Sequence, residues 1–210
     1  MKFKYTLLAC YLLLAAVLCG CGIDPAVEPD TDALADALSA YQEILKAAPA
    51  IEGEHEELMD ASFDYEQNFE MFGKHYDTFA ISDINRDGIP ELIALTTVNF
   101  RWAPISVYTY ADGSAVLLKD PLDEGADGTF RQQSTANGAY VTYICEDNHI
   151  HSAWRGTDPA GNAAEENHAY ALEGTTLVAT DCTVGESENT VYFSDIAMAN
   201  TAENVDAITR

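Results

Sequence analysis

"DINRDGIPELIAL", residues 83–95, decides how the rest of the chain is read. Counting Asp83 as position 1, Asn85 takes position 3, Asp87 position 5, Gly88 position 6, Ile89 position 7 and Glu91 position 9. Oxygen-bearing side chains fall on alternate positions, the glycine permits a sharp reversal, and an apolar run follows. Pro90 biases Ile89 towards an extended backbone, which starts a strand. The pattern predicts an acidic loop feeding the strand "ELIAL".

Calcium takes about six to eight hard oxygens, and alternate side chains on a tight loop can supply them. The side chains of Asp83, Asn85, Asp87 and Glu91, with the backbone carbonyl of Ile89, form such a set once water completes the shell. Calcium is therefore the expected cofactor. Magnesium needs a tighter octahedron and gives up its waters reluctantly. The competing reading is a metal-free turn, since Asn, Asp and Gly favour turns in any case. Against it, three carboxylates on one turn repel one another without a cation.

Position 12 is Ala94, so the loop lacks the closing glutamate of an EF-hand, and its exit is a strand rather than a helix. It resembles the DxDxDGxxD loop of FG-GAP and integrin-type β-propeller repeats, with Asn at position 3 and Glu at position 9. The wider stretch, residues 79–118, resembles a module of surface lipoproteins of Gram-positive gut bacteria. That resemblance implies a calcium loop between two strands and no catalysis. The motif occurs once, with no internal repeat, which argues against a propeller.

The flanks predict an α+β fold: N-terminal helices, then a mostly antiparallel sheet or meander. Over residues 32–48, Leu34, Leu38, Tyr41, Leu45 and Ala48 recur at helical spacing, with Asp32 at the start and Pro49 beyond the end. A second helix is expected within residues 52–73. "ISVYTYADGSAVLL" reads as a hairpin turning at Asp112 and Gly113. "YVTYICEDNHIHSAW" and "HAYALEGTTLVATDC" read as two more, and "TVYFSDIA" as a further strand. "NTAENVDAI" reads as a final short helix capped by Asn200 or Thr201.

The start of the chain gives its address. Lys2 and Lys4 precede an apolar run over residues 5–18, too short for a comfortable membrane span but suited to a signal-peptide core. It ends in "LCGC", which resembles the lipobox of bacterial lipoproteins. The resemblance implies cleavage between Gly20 and Cys21 and diacylation of Cys21. Cys19 fits less well because bulky Leu18 precedes it. A plain secretory signal or an uncut anchor helix is the alternative. The expected organisation is a signal peptide over 1–20, a lipidated cysteine and tether over 21–31, and one α+β domain over 32–210. Pro25 and Pro29 make the tether semi-rigid, roughly 30 Å if extended.

Of 210 residues, 48% are hydrophobic and 21% charged, an ordinary globular composition. The charge balance is not ordinary: 35 acids stand against 10 bases. Such a surface repels phosphate backbones and excludes nucleic acid as a partner. The expected partners are the membrane, through the lipid anchor, and an extracellular protein or carbohydrate of unknown identity, bound by a monomer.

Outside the cytosol, Cys145 and Cys182 can form a disulfide. Cys145 shares a strand face with Val141 and Tyr143, and Cys182 with Val178 and Val184, so both are expected to point inward, with two separate buried thiols as the alternative. His149 and His151 alternate on one strand and can bind zinc with His168 or Glu146, although two exposed histidines at a hairpin tip are usually only solvated. "HEELM" over residues 55–59 lacks the second histidine of a zinc protease, and no GxSxG occurs. The leading expectation is a non-catalytic calcium-binding surface lipoprotein serving as an interaction or ligand-binding module. The alternatives are a secreted hydrolase with a site assembled from distant residues, and a metal- or solute-capture lipoprotein.

Overall fold

The computed structural model describes residues 31–50, 75–96, 102–121, 129–135, 138–145, 147–181 and 189–208. Cys21 with its expected signal peptide, the helix expected within 52–73, Glu146 and Cys182 lie outside them. The described chain is predominantly antiparallel β with few helices.

Helix α1, Thr31–Ala47, buries Ala37, Tyr41 and Leu45 at four-residue spacing, the stripe expected of a helix lying on a sheet. Asp32 in the first turn and Lys46 in the last oppose the helix dipole. Pro49 stands just past its end and cannot continue it.

The strands are β1 Thr78–Ser82, β2 Glu91–Leu95, β3 Trp102–Ala111, β4 Ser114–Leu117, β5 Thr129–Thr135, β6 Gly138–Ile144, β7 Ile150–Thr157, β8 Ala163–Glu173, β9 Thr176–Thr180, β10 Val191–Tyr192 and β11 Met198–Ala199. They form one sheet in the order β11-β1-β2-β3-β5-β6-β7-β8-β9, with β4 on β3 and β10 on β6. Each of these pairings is antiparallel. The three expected hairpins are β3–β4, β6–β7 and β8–β9. Asp112 and Gly113 both take positive φ, +50° and +80°, as a two-residue hairpin turn requires. The β7–β8 ladder, which the sequence reading did not pair, joins the last two hairpins into a continuous meander.

Strand β2 is buried on both faces. One face, with Ile93 and Leu95, belongs to an inner core that also holds Ala80, Ile105, Val107, Phe130, Tyr170, Leu172 and Leu177. Ala80 on β1 and Leu177 on β9 stand near opposite ends of the strand order, so the sheet coils round this core. The other face, with Leu92 and Ala94, packs with Phe79 against Ala37, Tyr41 and Leu45 of α1 and Val205.

The end of the chain differs from expectation. "TVYFSDIA" is not one strand: β10 stops after two residues and a single helical turn, α2 Phe193–Ile196, carries fully buried Phe193 into the inner core. The final helix, α3 Ala202–Ala207, is capped by Thr201, whose hydroxyl accepts from the Asn204 N–H. Asn200 has another role. Its side-chain amide donates to the carbonyls of Leu45, Ala48 and Tyr76 at 3.3, 3.2 and 2.9 Å, closing the end of α1 that Pro49 leaves without successors. Gln42 Nε2 donates to the Val205 carbonyl at 2.8 Å, so the last helix is stitched to the first.

Candidate metal centre

The acidic loop spans residues 83–90 between β1 and β2, where Ser82 faces Glu91 across the hairpin. Arg86 and Gly88 take positive φ, +59° and +91°, and turn the chain around the loop's interior. Two apolar residues pin it. Ile84 is buried in the inner core, and Ile89 packs against the α1-side core.

The side chains fold in over their own backbone. The Gly88 N–H donates to Asp83 Oδ2 at 3.0 Å, the Asp87 N–H to Asn85 Oδ1 at 3.2 Å and the Ile89 N–H to Asp87 Oδ1 at 2.8 Å. Asn85 Nδ2 donates to Asp87 Oδ2 at 2.9 Å. Glu91 is fully buried, taking the Ile84 N–H at 2.9 Å and the Thr109 hydroxyl at 3.2 Å. Burial pushes its carboxyl up, and the charges of Asp87 and Asp83 add to that. The Ile84 N–H and Thr109 hydroxyl offset only part, leaving it at about 8. Beneath, the phenol of Tyr41 is also raised, by burial first and then by the Glu91 and Asp87 charges, and its buried oxygen has no hydrogen-bond partner among the described residues.

The structure thus brings Asp83, Asn85, Asp87, Ile89 and Glu91 to one loop. It does not close their carboxylates on one point. Among the described residues, the group of acidic, histidine or cysteine donors lying within 4.8 Å of one another is Cys145, Asp147 and His151. The loop's donors still suit a hard cation. Their oxygens are held by N–H and O–H groups, and the charge they accumulate is net negative around a buried carboxylate. A cation would be held by the Asp83, Asn85, Asp87 and Glu91 side chains and the Ile89 carbonyl, once exposed Asp83 and Asp87 turn inward.

The second cluster lies at the tip of the β6–β7 hairpin, over Cys145, Asp147, His149 and His151. Sequence reasoning placed its histidines at an exposed tip. His151 is instead fully buried, its ring stacked on Tyr143 at 5.2 Å and 7°. Asp147 turns back under the tip. Its Oδ2 lies 3.1 Å from His151 Nε2 and 3.2 Å from His149 Nδ1, and its Oδ1 accepts the His149 N–H at 3.1 Å. Burial works against the Asp147 charge, but these partners outweigh it and hold the carboxyl below its ordinary value. His149 Nδ1 is close enough to Asp147 to form a pair but out of alignment for a hydrogen bond, so this buried nitrogen stays unsatisfied.

One expected partner is not brought there. His168 pairs with Ser152, one residue out of phase with His151, so it faces the other side of the sheet, where it meets Glu166 at 3.0 Å. Val178, expected to point inward, is 37% exposed while Leu177 is buried, and Cys182 itself lies outside the described residues. Cys145 is a buried thiol, 4% exposed, with Sγ 3.8 Å from Thr190 Oγ1. The signal missed in the sequence was spacing: Cys145, Asp147, His149 and His151 fall on every second residue of "CEDNHIH".

Between the two loops lies a cleft of about 430 Å³, lined by Asp83, Ile84 and Arg86 on one side and Cys145 and Asn148 on the other. No protein-family model, curated protein or solved structure matches this chain, so the two loops are read from their own geometry.

Proposed function

We propose that this chain is a non-catalytic calcium-binding surface protein, lipidated at Cys21, whose strand-rich body serves as an interaction or ligand-binding module. The observation that carries the calcium reading is Glu91. A fully buried carboxyl held by an amide N–H and a hydroxyl, next to two carboxylates, is pushed up to about 8 and ionises at neutral pH only with a compensating positive charge beside it. A divalent cation in the loop supplies the missing charge. The reading as an interaction module draws on Trp154, which lines an open cleft of about 620 Å³ with Thr157, Asp158, Pro159 and Gly161. An aromatic side chain beside the Asp158 turn suits a carbohydrate or protein surface.

The folded loop binds the ion and the unfolded chain does not, so calcium stabilises by mass action. Extracellular modules bind in the range of about 0.1–1 mM. Calcium at about 10 mM should then add roughly 1.4–2.7 kcal/mol and raise the melting temperature. Asp83→Ala and Asp87→Ala should lose that increment and keep the calcium-free melting temperature. A wild-type melting temperature unmoved by calcium, with no heat of binding, sinks the proposal.

The address has its own test. Cys21→Ser should abolish fatty-acid labelling and leave the precursor uncut. Equal labelling of variant and wild type would assign the lipid elsewhere.

A further inference from the structure

We propose that the tip of the β6–β7 hairpin is a zinc site, separate from the acidic loop, formed by Cys145 Sγ, an Asp147 carboxylate oxygen, His149 Nδ1 and His151 Nε2. Four donors of three chemical kinds approach one another within a seven-residue stretch. The thiol, carboxylate and His151 donors lie within 4.8 Å of one another. Asp147 Oδ2 stands 3.1 Å from His151 Nε2 and 3.2 Å from His149 Nδ1. A tetrahedral ion with nitrogen and oxygen ligands at about 2.0–2.1 Å has ligand-to-ligand edges of about 3.3–3.4 Å. The two edges from Asp147 already lie within a few tenths of an ångström of those lengths, while Cys145 Sγ and His149 Nδ1, the latter outside the 4.8 Å group, close further on the ion.

The donor set selects the metal. One soft thiolate with imidazoles and one carboxylate is a zinc combination and a poor one for calcium, which wants oxygen alone.

Three features favour a built site over chance proximity. His151 is fully buried and its ring is fixed by Tyr143, whose hydroxyl accepts from Asn167 Nδ2 at 2.9 Å. His149 Nδ1 is a buried nitrogen without a hydrogen bond, and it lies beside the carboxylate that would share the metal. The cleft between the two loops reaches Cys145, which gives the ion an entry path. Asn148, at φ +61°, makes the reversal that brings the later histidines back towards Cys145, and its N–H donates to the Cys145 carbonyl at 3.0 Å. On binding, the metal replaces the thiol proton, which leaves to solvent, and takes an imidazole lone pair from each neutral histidine.

The test uses the full chain purified in detergent without reductant or chelator and titrated with cobalt(II), then zinc. Cobalt should give a sulfur-to-metal charge-transfer band with tetrahedral ligand-field bands at one metal per chain, and zinc should bleach both. Cys145→Ser should remove the charge-transfer band and weaken zinc binding by at least about 100-fold, beyond what loss of an outer partner causes. His149→Ala, at a partly exposed position, should keep the charge-transfer band, alter the ligand-field bands and weaken binding, which holds the test open if Cys145→Ser misfolds. Asp83→Ala and Cys182→Ser should leave the cobalt spectrum unchanged. A spectrum without the sulfur band overturns the proposal, and so does peptide mapping that finds Cys145 bonded to Cys182.

Discussion

Glu91→Gln is expected to reverse the order of stabilities between calcium-free and calcium-loaded protein. The wild-type carboxyl is raised from 4.5 to about 8 in the folded chain. Between those values the folded state holds a proton that the unfolded state has lost. Calcium-free stability is therefore full below about pH 4.5 and falls as pH rises towards 8. The shift corresponds to an upper limit of about 5 kcal/mol at pH 8 and above. Glutamine keeps the shape. Its carbonyl can accept the Ile84 N–H, and its amide can donate to the Thr109 hydroxyl after that rotor turns. Without calcium, the variant should lose the slope between pH 5 and 8 and be the more stable protein at pH 8. With calcium, the wild type should recover, by an increment that grows with pH because the ion competes with the Glu91 proton, while the variant should not respond. Urea midpoints at pH 5, 6.5 and 8, with and without calcium, measure all of this. A pH slope that survives in the variant would assign the proton elsewhere.

Phe79→Ala should cost about 3–5 kcal/mol, the range for emptying a large aromatic site in a close-packed core. Phe79 is fully buried, faces Ala94 and Met198 across its two ladders, and lies in the layer of Tyr41, Leu45, Leu92 and Val205. That loss is about a fifth or more of the stability of an ordinary domain. Val178→Ala, at a 37% exposed strand position, should change stability by no more than about 0.5 kcal/mol. Similar costs at the two positions would mean that the layer between α1 and the sheet contributes little to folding.

The contrast between Phe79 and Val178 shows which parts of the sequence were informative. Local signals carried far: the alternation and turn residues of "ISVYTYADGSAVLL" are enough to pair β3 with β4, and Pro49 marks the end of α1. Face assignment failed where alternation gives a phase without a sign. Val178 and Leu177 both belong to an apolar run, and only the coiling of the sheet decides which of them turns inward. The same coiling buries Phe193 and breaks its strand into a helical turn. At the acidic loop, spacing placed the five candidate residues on one turn but did not give the depth of Glu91, because "ELIAL" begins a strand covered on both faces. At the hairpin tip, the polarity of "CEDNHIH" suggested a solvated turn. Its burial follows from Asp147 folding beneath the tip and from Tyr143 receiving the His151 ring, which are contacts made across a ladder and invisible to periodicity.

The stitch between the first and last helices also sets an order of events. Gln42 and Val205 are 163 residues apart, and the Asn200 amide reaches back 155 residues to Leu45. No shorter piece of the chain can complete the layer under α1, so α1 has to wait for almost the whole polypeptide. Contacts this distant slow folding, because closure entropy is lost before they form. A chain that stays open until its last turn arrives would suit the export proposed above, since a secretion channel passes only unfolded polypeptide. It also leaves the apolar face of α1 uncovered during synthesis, when a holdase could grip it.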